Sequence, residues 1–68
     1  MTGADLERLE GFERMLRDVQ RNYAAVTERM EHLKVEGKTK TVTFRQLLGD
    51  KLLYQTMLAM YRAHGLIE

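Results

Sequence analysis

"LEGFERMLRDVQRNYAAVTERMEHL", residues 9–33, is the stretch on which the fold turns. Its apolar residues Leu9, Phe12, Leu16, Val19, Tyr23, Val26, Met30 and Leu33 follow one another at intervals of 3, 4, 3, 4, 3, 4 and 3. That is the a/d pattern of a helix that packs along one seam against another helix. The flanks agree: Glu10/Arg14 and Glu13/Arg17 stand four apart in the favourable order, each pair adding about 0.2–0.5 kcal/mol. Thr2 or Asp5 can cap the start, and Asp5 and Glu7 suit the positive end of the helix dipole. The pattern predicts a helix over residues 5–34. Gly11 costs about 1 kcal/mol relative to alanine within it, and marks either a close helix contact or the true start of the ordered helix.

The chain contains no proline, so nothing forbids a second long helix. Thr43 followed by Gln46 has the spacing of a capping box, with Val42 and Leu47 as its hydrophobic staple. Gly65 fits the left-handed position after a helix, where Leu66 folds back on Tyr61. The second helix is therefore expected over 44–64, with 65–68 as a C-terminal cap. Its apolar residues, among them Phe44, Leu47, Leu48, Leu52, Leu53, Tyr54, Met57, Leu58, Met60 and Tyr61, cover a wider arc than one seam needs, which implies more than one packing neighbour. Gly49 weakens it locally and admits a kink or a close backbone approach.

Between the helices lies a connector, 35–43. Its Gly37-Lys38-Thr39 has the tail of a phosphate-binding loop, but the glycine required five residues earlier is His32, inside the heptad helix, and no apolar strand precedes it. Residues 38–43 alternate with β-branched content, so the connector is expected to be extended or a short strand. An unpaired strand edge there would be satisfied by the same segment of a second chain.

The resulting expectation is one all-α domain, 1–68: a long antiparallel helical hairpin in which Phe44 lies beside Lys34 and His64 near Arg14. The second helix runs out first, so Leu6, Leu9 and Phe12 are left without cover. A chain of 68 residues buries only about 60% of its unfolded surface, and the absence of cysteine removes disulfides as a remedy. Oligomerisation remains. Two hairpins packed face to face as a four-helix, coiled-coil-like bundle would enclose the wide apolar arc. We expect a homodimer whose interface, or whose contact with an unknown protein partner, draws on Leu6, Leu9, Phe12, Leu16, Val19, Tyr23, Leu53, Met57 and Met60.

Chemistry is harder to place. With neither serine nor cysteine in the chain, two common nucleophiles are excluded, and the carboxylates follow a solvated helix face. His32 and His64 fall at opposite ends of the hairpin, which gives no metal site. No catalytic residue, cofactor or metal is expected, and the protein is read as a non-enzyme. Met15, Met30, Met57 and Met60 lie on or beside the apolar stripes and serve packing. Lys34, Lys38, Lys40 and Arg45 gather at the connector, where a dimer would double their charge and allow a salt-dependent contact with nucleic acid or an acidic partner. A net charge of +1 is small for a nucleic-acid binder, and a helix-turn-helix register centred on Gly49 fails because Arg45 and Asp50 fall where small and apolar residues are needed. The longest apolar run, Met57–Tyr61, is far too short to span a membrane, and the N-terminus has no signal pattern. The expectation is a cytoplasmic protein-interaction module, adaptor or inhibitor in type, with nucleic-acid binding through the basic connector as the alternative.

Overall fold

A computed structural model describes residues 2–67. Its two helices, α1 (Gly3–Val35) and α2 (Val42–Ala63), pack against each other, and no strand occurs among the described residues. The all-α hairpin anticipated from the heptad pattern is the fold.

Each helix end has an identifiable cause. Thr2 Oγ1 accepts the amide proton of Asp5 at 3.1 Å while Asp5 Oδ2 accepts that of Thr2 at 3.4 Å, a reciprocal capping box. The helix runs unbroken through Gly11, where a Cβ would meet nothing nearer than Arg14 Nη2 at 3.9 Å. Gly11 is thus neither a helix start nor a tight contact. At the far end the amide of Gly37 donates to the Lys34 carbonyl and that of Lys38 to the Leu33 carbonyl, with Gly37 at φ +73°. This is a Schellman stop. The same pair of bonds ends α2: Gly65 donates to Arg62 and Leu66 to Tyr61, with Gly65 also at φ +73°.

The start of α2 differs from the sequence expectation. The cap is Thr41, not Thr43: its Oγ1 accepts from the Phe44 amide at 3.2 Å and its hydroxyl donates to the Lys38 carbonyl at 2.9 Å. Both threonines can cap, but the Schellman stop at Gly37 turns the chain back at once, and Thr41 is the residue whose hydroxyl bridges the turn and the new helix. Val42 and Thr43 therefore join α2, and the connector forms turns at residues 36–37 and 39–40 with a bend at Thr41 and no strand.

The antiparallel register is marked by the cross-helix hydrogen bond from Gln55 Nε2 to Tyr23 Oη at 3.2 Å. These positions satisfy the same pairing that sets Lys34 beside Phe44 and Arg14 beside His64. Between the helices Val19, Met30, Leu47 and Leu58 are buried, and Leu16, Tyr23, Val26, Leu33, Phe44, Tyr54, Met57 and Tyr61 are half-buried around them. Thr27, the polar residue beside the seam, donates its hydroxyl to the Tyr23 carbonyl at 2.8 Å, so no polar side-chain atom is buried without a partner among the described residues. The 33 residues of α1 outrun the 22 of α2 by about 16 Å at 1.5 Å per residue. The outcome is a rod with extents of 52 × 20 × 17 Å.

Candidate interaction surface

The nine residues expected at an interface separate into three groups. Val19 is only 4% exposed, consumed by the contact between α1 and α2 within one chain. Leu16, Tyr23 and Met57 are half-buried at the edges of that seam. Leu6, Leu9, Phe12, Leu53 and Met60 are exposed, Phe12 by 60% and Met60 by 62%. The seam thus holds the hairpin together, and the surface left over lies elsewhere.

One part of it is the open end of the hairpin. The overhanging turns of α1 meet the last turn of α2 and the returning Leu66 to form a cleft of about 370 Å³ lined by Phe12, Met15, Met57, Met60, Tyr61, His64 and Leu66. On the other side of Phe12, Tyr61 and Leu66 a second depression of about 330 Å³ continues over Leu9 and Leu16, rimmed by Glu13 and Arg17. Apolar side chains dominate both walls. This geometry follows from unequal helix lengths, because the turn at Gly65 returns the chain over Phe12 without covering it.

The other part is the face of α2 turned away from α1. Leu48, Leu52 and Leu53 are exposed there, Leu52 by 54%. Leu48, Leu52 and Met15 were not singled out as contact residues from sequence, although the wide arc of α2 was the available signal. Val35 and Val42 at the connector end are also strongly exposed.

Charge is organised differently on the two helices. The outer face of α1 carries the ion pairs Arg17–Glu13 at 3.9 Å and Arg21–Asp18, and His32 Nε2 lies 3.8 Å from Glu28 Oε1. The expected Glu10–Arg14 pair does not form among the described residues. At the connector, Lys34 Nζ meets Glu31 Oε1 at 3.1 Å and Lys38 Nζ meets Glu36 Oε2 at 3.0 Å, while Lys40 and Arg45 form no ion pair among the described residues. Half of the basic cluster is therefore already engaged by neighbouring carboxylates. All these groups are exposed, so each pair contributes little.

No group of three or more metal-ligating side chains gathers among the described residues, and no helix is long and apolar enough to cross a membrane. No family model, curated protein or solved structure matches the chain.

Proposed function

We propose that the chain is a non-enzymatic protein–protein interaction module, adaptor or inhibitor in type, that works as a homodimer through its apolar helix faces. The observation that carries this reading is surface area. The hairpin exposes 5478 Å², whereas a compact monomer of its 8.0 kDa exposes about 4,450 Å². The excess, about 1,000 Å², is close to the roughly 800 Å² that each partner contributes to a standard interface. Its radius of gyration, 15.5 Å, likewise exceeds the about 11 Å of a compact domain of 68 residues.

Large apolar side chains are exposed on both helices, Leu6, Leu9 and Phe12 on α1 and Leu52, Leu53 and Met60 on α2, and apolar side chains grouped at the surface favour association. Nucleic-acid binding is the weaker reading, since a net charge of +1 is small for a chain that must neutralise several phosphates. A cytoplasmic location belongs to the same proposal, and a cysteine-free chain fits a reducing compartment.

Sedimentation across a hundredfold dilution tests the proposal. The expected molar mass is twice 8.0 kDa at the concentrated end, falling on dilution. A chain that sediments as a monomer at high micromolar concentration while keeping its full helicity would refute it.

A further inference from the structure

The central turns of α2 carry their charges on the wrong side for a helix that faces water. Between Gln46 and Tyr61 its charged residues are Asp50 and Lys51, and both are half-buried flanking the side that packs on α1. Opposite run Gly49, Leu52, Thr56, Ala59 and Ala63, spaced 3, 4, 3 and 4 and all exposed, in a row that the exposed Arg45 begins one turn earlier. A helix whose central turns are uncharged over the face opposite its first neighbour belongs between two neighbours. Within those turns the one polar residue of the row, Thr56, donates its hydroxyl to the Leu52 carbonyl at 3.0 Å. At Gly49 no atom lies within 4 Å of where a Cβ would stand, so another backbone can approach closely there.

Resting on the homodimer proposed above, we infer that a second copy of this chain covers this face, with α2 packed antiparallel on the partner's α2 about an axis near Leu52 and Leu53. In an antiparallel pair about that axis the two Arg45 stand about 22 Å apart, so the face meets its own copy without like-charge conflict, and the ends of the hairpin supply the direction. At the open end, residues 2–13 and 60–67 hold Asp5, Glu7, Glu10 and Glu13 against Arg8 and Arg62, a net of −2. Around the connector, residues 31–45 hold Lys34, Lys38, Lys40 and Arg45 against Glu31 and Glu36, a net of +2 with histidine neutral. A parallel pair would stack the two basic connectors. An antiparallel pair separates them by the length of α2, about 33 Å, beyond three Debye lengths of about 8 Å. It sets each connector beside the oppositely charged open end of the partner, and brings the exposed Val42 of each chain to the last turn of the partner's α2.

The test uses the full chain, whose lack of cysteine allows a single spin label at Lys40→Cys. In the antiparallel dimer the two labels lie about 38 Å apart along the axis; in a parallel one they lie within roughly 20 Å, since paired helix axes are about 8–10 Å apart. Sedimentation of Leu53→Glu and Phe12→Glu, both exposed positions, accompanies it. The expected result is the long distance, a monomeric Leu53→Glu and a dimeric Phe12→Glu. A short distance, or a Leu53→Glu that stays dimeric while Phe12→Glu dissociates, overturns the α2 placement and leaves the homodimer standing. A monomeric unsubstituted protein overturns both.

Discussion

Gly37 and Thr41 together decide where the first helix lets go and the second takes hold. At φ +73° a side chain at position 37 meets its own backbone, so Gly37→Ala is expected to cost about 1–2 kcal/mol. Gly11→Ala lies in an ordinary helix interior with open space around the new methyl and is expected to stabilise by about 1 kcal/mol. Urea denaturation of the two variants should move the midpoint in opposite directions, and a shared direction would contradict the assignment of the stop. The cap is tested in the same way: Thr41→Ala should cost about 1 kcal/mol, while Thr43→Ala, in the first turn of the helix and without a capping bond, should change stability by less than about 0.5 kcal/mol. Equal losses would place the cap elsewhere. Here the sequence was ambiguous for a physical reason. Thr41 and Thr43 have the same capping chemistry, and what chooses between them is how tightly the Gly37 stop reverses the chain, a property of backbone angles rather than of residue type.

At the scale of the helix, α1 was legible almost throughout, because one narrow apolar seam on a charged background has a single interpretation. Met30, on that seam and 3% exposed, should be worth about 2–5 kcal/mol against alanine. In a hairpin with four buried apolar residues, such a loss should abolish the cooperative thermal transition. A Met30→Ala variant that melts as sharply as the parent would mean that the seam is not the core. The helix α2 was read less completely. Its arc is wider than one seam needs, but periodicity cannot say which apolar residues a given neighbour takes. The structure gives Leu47 and Leu58 to α1 and leaves Leu48, Leu52, Leu53 and Met60 outside. Val19 shows the converse: a seam residue expected at a dimer interface is already spent within one chain.

At the scale of the molecule, a rod 52 Å long and 20 Å or less in its other dimensions has too much surface for its mass, and the hairpin's stability should be coupled to its association. A folded dimer in equilibrium with less stable single chains melts at a temperature that rises with protein concentration, because mass action favours the form that binds. The thermal transition, followed by helical circular dichroism over a hundredfold range of concentration, is therefore the most direct measurement. The midpoint should climb steadily with concentration while the transition stays single. A sharp, cooperative transition at the same temperature across the whole range would show that one hairpin is complete by itself, and would rule out the homodimer.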